Sequence, residues 1–303
     1  MGIRIAGLAA VLAAFPLMLS PQASNAAVSA LAGVGSWTYQ LQGIDLHVLA
    51  ASNYDLVVID YSRNGTAAQT FSATEIANLR TKPDGSRRIV LSYLSIGEAE
   101  DYRFYWQDDW AQDRPTWLFA ANPEWEGNYD VRFWDPDWQA IIFGEPTSYL
   151  DQIMAAGFDG VYLDRVDAFE RPDPQLKRAQ RESEMVNFVT ALAIYARAKD
   201  PDFIIMPQNG EELLATPSYR RTIDGLAKED LLFGAEHDNQ RNRLGTVRAS
   251  LELLSRLTAE GKPVFVSEYL SASSDVAQAR EDAATLGVLL FIGDRELDNA
   301  HSR

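Results

Sequence analysis

The stretch Gly157-Phe158-Asp159-Gly160-Val161-Tyr162-Leu163-Asp164-Arg165-Val166-Asp167-Ala168-Phe169-Glu170 decides the reading of the whole chain. It opens on a helix-ending glycine, continues as a short apolar strand and finishes in carboxylates. A parallel strand covered on both faces has no packing use for Asp164, because ionised carboxylates are rarely buried unless paired or functional. An acid at the carboxyl end of such a strand stands where α/β folds place their chemistry. The plainer reading is that Asp164 and Asp167 cap the next helix, as Asp often does.

Outward from that strand, apolar runs alternate with helical ones. Ser36–Leu41, Asp55–Asp60, Arg88–Leu94, Phe203–Pro207, Asp224–Glu229, Val264–Glu268 and Gly287–Ile292 read as further strands. Ser72-Ala-Thr-Glu75 is a capping box opening a helix to about Arg80. Further helices are expected from Asp135-Pro136 to about Ala156, over Pro174–Lys199, Leu244–Glu260 and Asp275–Thr285. Eight strands in alternation with helices predict a (β/α)8 TIM barrel over 36–303, a single domain. A doubly wound open sheet is the other arrangement. It lacks the Gly-x-Gly-x-x-Gly after the first strand, and no P-loop occurs.

The segment 95–138 breaks the alternation. It holds six of the seven tryptophans, Trp106, Trp110, Trp117, Trp125, Trp134 and Trp138, with little helical or strand period. It is expected to be a long irregular loop whose aromatics wall a cleft. The competing expectation is that they cover a hydrophobic patch of the barrel.

Residues 1–26 have the pattern of a secretory signal: Arg4, an apolar run from Ala6 to Leu19, and a small-x-small site at Ser24-Asn25-Ala26. A flexible lead-in over 27–35 would follow, and the protein would be secreted or periplasmic, with no membrane contact after signal removal. The chain has no cysteine, which removes disulfides, thiolate metal sites and a Cys nucleophile. Its three histidines, His47, His237 and His301, form no ligand spacing, so neither a metal nor another cofactor is expected. The formal net charge is −16, which argues against nucleic acid and is compatible with a cationic substrate.

On a barrel the carboxyl ends of all strands open onto one face. That register brings together Tyr39, Asp60, Tyr93, Glu98, Asp164, Asp167, Asn209, Glu229 and Glu268, with Asp294 after the last strand. A ring of carboxylates with aromatic walls and no histidine suits glycoside hydrolysis. That reaction needs one carboxylic acid to protonate the leaving oxygen and a second carboxylate as nucleophile or base. A non-catalytic carbohydrate-binding barrel would use the same pocket without cutting.

Val58-Ile-Asp60-Tyr61, Tyr93-Leu-Ser-Ile-Gly-Glu98-Ala-Glu100-Asp-Tyr102-Arg103, Gly157–Asp167, Asp224-Gly-Leu-Ala-Lys-Glu229 and Ser267-Glu268-Tyr269 resemble glycoside hydrolase family 114, the endo-α-1,4-polygalactosaminidase family. The resemblance implies a barrel that cleaves an amino-sugar exopolysaccharide. It also implies a catalytic pair, falling on Asp164 as nucleophile or base and Glu229 as general acid. Tyr39, Asp60, Tyr93, Glu98, Asp167, Asn209 and Glu268 would then bind the substrate. Arg165 stands where many members have Asn, a cation that would disfavour a cationic sugar at that subsite.

Overall fold

A computed structural model describes residues 31–123 and 125–300. The signal pattern and the first part of the lead-in lie outside them. The strands in chain order are β1 (Trp37–Gln40), β2 (Leu56–Ile59), β3 (Ile89–Ser95), β4 (Glu98–Glu100), β5 (Leu118–Ala121), β6 (Asn128–Val131), β7 (Gly160–Asp164), β8 (Ile204–Pro207), β9 (Leu226–Glu229), β10 (Val264–Tyr269) and β11 (Leu289–Gly293). The helices are α1 (Leu46–Ala51), α2 (Ala73–Leu79), α3 (Pro136–Ile142), α4 (Tyr149–Ala155), α5 (Arg178–Lys199), α6 (Pro217–Thr222), α7 (Leu244–Thr258) and α8 (Ser273–Leu286).

Eight strands run parallel, in two groups ordered β1-β2-β3-β7-β8 and β9-β10-β11. A parallel bridge between Gln208 and Ala227 joins β8 to β9. On the other side β11 lies against β1, where the Trp37 indole donates to the Leu289 carbonyl at 2.9 Å. The result is the (β/α)8 ring, and its strand positions agree with the sequence reading to within two residues.

Alternation along each strand divides the core in two, because successive side chains point to opposite faces. Trp37, Tyr39, Leu56, Val58, Leu91, Tyr93, Tyr162, Met206, Ala227, Phe265, Tyr269 and Phe291 fill the barrel interior. Val57, Ile59, Val90, Val161, Leu163, Ile205, Val264 and Val266 face the surrounding helices. Leu31 and Val34 are buried in the interior cluster, so the described end of the expected lead-in is anchored to the barrel at these two side chains, while Ala32, Gly33 and Gly35 are exposed. Among the described residues no helix is long and apolar enough to cross a membrane.

Ser72 and Glu75 cap α2 reciprocally, as their spacing requires. The single helix expected over 136–156 is two. Gly144, with φ +116°, and Pro146 interrupt it, since neither continues a helical hydrogen-bond ladder.

The segment 95–138 is also different from expectation. It carries a three-stranded antiparallel sheet in the order β4-β6-β5, paired through Glu98–Asp130, Glu100–Asn128 and Leu118–Val131. Strands of three and four residues are too short to display a period of two, which is why the segment read as irregular. Four of its tryptophans form a chain of edge-to-face and tilted contacts. Ring centroids lie 5.0 Å apart for Trp106 and Trp110, 5.1 Å for Trp110 and Trp117, and 5.2 Å for Trp117 and Trp138. Trp110, Trp117 and Trp138 are buried in the outer core. They fasten the inserted sheet to the barrel instead of walling a cleft.

Candidate active site

The carboxyl ends of the strands open into one cleft of about 660 Å³. Inward parity extended past each strand end names its floor: Tyr39 from β1, Asp60 from β2, Tyr93 from β3, Asp164 from β7, Gln208 from β8, Glu229 from β9 and Tyr269 from β10. Asp167, Glu98 and Asn209 also line it. Glu268 does not. It is adjacent to Tyr269 and so points the other way, fully buried, with its carboxylate accepting the Leu232 and Phe233 backbone N–H groups at 2.7 and 3.1 Å. Burial pushes its carboxyl up to about 8. Its expected place as a substrate contact is therefore corrected: it holds the turn after β9. Asp294 accepts from the Asn299 amide at 3.0 Å and is likewise not a cleft residue.

Three residues just past strand ends adopt left-handed backbone: Arg165 (φ 59°), Asn209 (φ 58°) and Asp230 (φ 51°). Each directly follows an inward polar residue, Asp164, Gln208 or Glu229. A non-glycine residue in this region costs about 1–3 kcal/mol and persists where its surroundings over-determine it. For Arg165 that surrounding includes Gly97, where a Cβ would lie 2.2 Å from the Arg165 carbonyl oxygen. Gly97→Ala should displace Arg165 and destabilise the fold, which thermal melting would register as a lowered Tm.

Asp164 and Glu229 both line the cleft floor. Tyr93 donates to Asp164 Oδ2 at 2.7 Å. Glu229 accepts from the Tyr269 hydroxyl, from the Gln208 amide, and from Asn209 Nδ2 at 3.2 Å. Asn209 Oδ1 in turn takes the Glu229 backbone N–H at 3.1 Å, which fixes the strand end. Burial pushes the Asp164 carboxyl up and the Glu229 charge adds to it. Arg165 and the Tyr93 hydrogen bond work against them, and the balance is about 7. Burial also raises Glu229, opposed by its hydrogen bonds from Tyr269 and Asn209. Both tyrosines are pushed well up by burial and remain donors. Lys228 is turned away, with its ammonium 3.3 Å from Asn209 Oδ1 and from Glu211. Gln208 and Tyr269 were not picked out from the sequence, although continuing the two-residue alternation past β8 and β10 selects both.

The raised Asp164 carboxyl has a stability consequence. Its folded-state value lies above that of an unfolded Asp. Below about pH 4 both states hold the proton and nothing is lost. Between about pH 4 and 7 the unfolded chain releases this proton while the native state keeps it, so stability is lost progressively over that window and the full loss persists above it. Asp164→Asn should therefore raise stability on the order of 1–2 kcal/mol at pH 8, part of the group being open to cleft water, and by almost nothing at pH 3.5. Melting curves at the two pH values check this.

The remaining acids are not equivalent. Asp60 and Glu100 clasp the buried Arg103, at 2.7 and 2.6 Å. Glu98 accepts from Asn122 at 2.9 Å and Asn128 at 3.0 Å and pairs with Arg165 at 2.9 Å. These two expected sugar-holding acids, Asp60 and Glu98, are thus already engaged by cations. Arg165 also stands 3.8 Å from Asp167 and 4.0 Å from Asp130, so its charge is compensated. Exposed Glu126 and Glu296, with Trp125 and Tyr102, form the rim.

A parallel eight-stranded barrel with two half-buried carboxyls at the floor of an open polar cleft defines a class, the barrel glycoside hydrolases. The chain belongs to glycoside-hydrolase family GH114, whose family profile matches residues 19–302. It is 42% identical over 240 residues to the uncharacterized protein MJ1477 of Methanocaldococcus jannaschii, a match covering 77% of this chain and 66% of that protein. With an uncharacterized protein of Deinococcus radiodurans it shares 36% identity over 288 residues, 93% of this chain and 88% of the relative. Among solved structures, the glycoside hydrolase domain of PelA from Pseudomonas aeruginosa superposes with a TM-score of 0.66 at 20% identity, over 89% of this chain and 99% of that one. Aspergillus fumigatus Ega3 in complex with galactosamine superposes with a TM-score of 0.64 at 21% identity, over 89% and 96% of the two chains. At these identities the structural likeness speaks for the fold.

Proposed function

We propose that this glycoside hydrolase cleaves an exported amino-sugar polysaccharide of the α-1,4-polygalactosamine type, using Asp164 and Glu229 as its paired carboxylates. The observation that carries the reading is the placement of two half-buried carboxyls, each hydrogen-bonded by a tyrosine, on the non-neighbouring strands β7 and β9. The pair retains a proton to near neutral pH. As positive charge develops at the anomeric carbon, Asp164 is favoured as the anion, either bonding to that carbon or activating a water beside it. Glu229, with the longer reach, is left with the proton and passes it to the leaving oxygen as the glycosidic bond breaks. Water supplies the hydroxyl that ends on the anomeric carbon.

An amino sugar is supported by the net charge of −16 and by the uncommitted rim acids Glu126 and Glu296. Ega3, a structural neighbour, was solved with galactosamine. Trp125 and Tyr102 offer faces for sugar rings. Export is supported by the pattern of residues 1–26 and is tested by finding Ala27 as the first residue of protein recovered outside the cytoplasm. The activity is tested by reducing-end release from a panel of hexosamine polymers of graded acetylation. Release from galactosamine-rich polymer is expected. Binding of polymer without release would leave only a carbohydrate-binding barrel, and release from another sugar would replace the substrate.

A further inference from the structure

Tyr269 donates to Glu229, and the guanidinium of Arg295 lies over the Tyr269 ring, 4.5 Å from its centroid. Arg295 belongs to the segment after β11, remote in sequence from both. It is gripped by two carboxylates of the segment after β9. Asp230 receives it through both terminal nitrogens at 3.1 and 3.2 Å, and Asp238 takes Nη2 at 2.8 Å. Asp230 is the residue after Glu229 and sits in left-handed backbone. Gly234 makes room for its carboxylate, since a Cβ there would approach Asp230 Oδ1 to 2.4 Å. The same terminal segment is tied to the first barrel strand, with Leu41 N and Gln42 N both donating to the Leu297 carbonyl at 2.9 and 3.0 Å.

We infer that Arg295 is a positioning residue for the proposed acid, locking the Tyr269 ring and the Asp230 backbone so that Glu229 keeps one orientation and one proton affinity. A stacked, bidentately held guanidinium suits this because its planar fork loses little freedom on being fixed. A lysine would keep the charge without the fork. The charged and titratable groups facing Glu229 are Asp164 and Tyr162 on β7, Tyr39 on β1, Asp230 beside it, Tyr269 on β10, and Arg295 itself. Arg295 is the cation in this set. Its field favours ionised Glu229, and so does the hydrogen bond from Tyr269 that it steadies. Both effects have the same sign, so removing Arg295 makes Glu229 hold its proton to higher pH.

The inference rests on Glu229 as the acid, and the test separates the two. Arg295→Met, Arg295→Lys and Glu229→Gln are compared on the same polymer. Arg295→Met is expected to lower kcat about tenfold with KM within about threefold. The alkaline limb of its kcat/KM profile should move up by about 0.5–1 pH unit. Arg295→Lys should lower kcat while leaving that limb in place. A normal profile and kcat in Arg295→Met beside an inactive Glu229→Gln overturns the inference alone. A KM effect without a pH shift also overturns it, since Arg295 would then be touching substrate. Near-normal turnover in Glu229→Gln removes the underlying reading and this one with it. Should Arg295→Met not fold, wild-type kcat in Arg295→Lys overturns the inference.

Discussion

Glu229→Gln is expected to lower polymer cleavage by about 10²–10⁴-fold while the protein stays folded and binds polymer. The amide has the shape of the acid and still accepts from Tyr269, but it has no proton to give the leaving oxygen. Asp164→Asn is expected to lose at least as much, because an amide neither stabilises the developing positive charge nor bonds to the anomeric carbon. The pH dependence should carry the same signature. Cleavage needs Asp164 ionised and Glu229 protonated, whereas in the empty cleft the Glu229 charge helps hold the proton on Asp164, and both are raised from the ordinary carboxylate range by burial. The profile should therefore be bell-shaped and displaced towards neutrality. Initial rates over pH 4–9, with circular dichroism and a polymer-binding assay on each variant, check all of this. Near-normal turnover in either variant removes that residue from the chemistry.

The second large effect separates packing from binding among the tryptophans. Trp110 lies edge-to-face between Trp106 and Trp117 in the ring chain that fastens the inserted sheet to the barrel. Trp110→Ala should cost about 3–5 kcal/mol of stability, the usual cost of emptying a buried indole site. Because β4 of that sheet carries Glu98 and Glu100 into the cleft, activity should fall together with stability. Trp125 is 48% exposed at the cleft rim. Trp125→Ala should leave the melting temperature near wild type and weaken polymer binding several-fold, about 1 kcal/mol. Denaturant unfolding and binding isotherms on both variants distinguish the roles. Equal loss of stability in the two would show that Trp125 also packs.

The cleft face was legible because its signals are local. A strand buried on both faces reads as an apolar run, and an acid ending it stands out by composition alone. That brought Asp164 and Glu229 to one end of one barrel, and Tyr39, Asp60, Tyr93, Asp167 and Asn209 to the same cleft. Direction was harder. Glu268 and Tyr269 are neighbours in the same strand, and only the barrel interior shows which of them turns inward. The choice by residue type favoured the glutamate, whereas the two-residue period favoured the tyrosine. Gln208 escaped notice for the same reason, since a glutamine after a proline carries no distinctive composition.

Taken by itself, the sequence determined the strand–helix alternation, the barrel, the acidic strand ends and the tryptophan-rich insertion, all properties of periodicity and composition within about ten residues. Tertiary structure decided which acids are free. Arg103 claims Asp60, Arg165 claims Glu98, backbone amides claim Glu268, and each of these partners arrives from the segment after another strand. It also decided that most of the tryptophans pack against one another, and that Arg295 reaches back to the ring that serves Glu229. The physical reason is that a charge or a ring is satisfied by whatever lies within a few ångströms of it, and closing the barrel brings residues far apart in sequence to that distance.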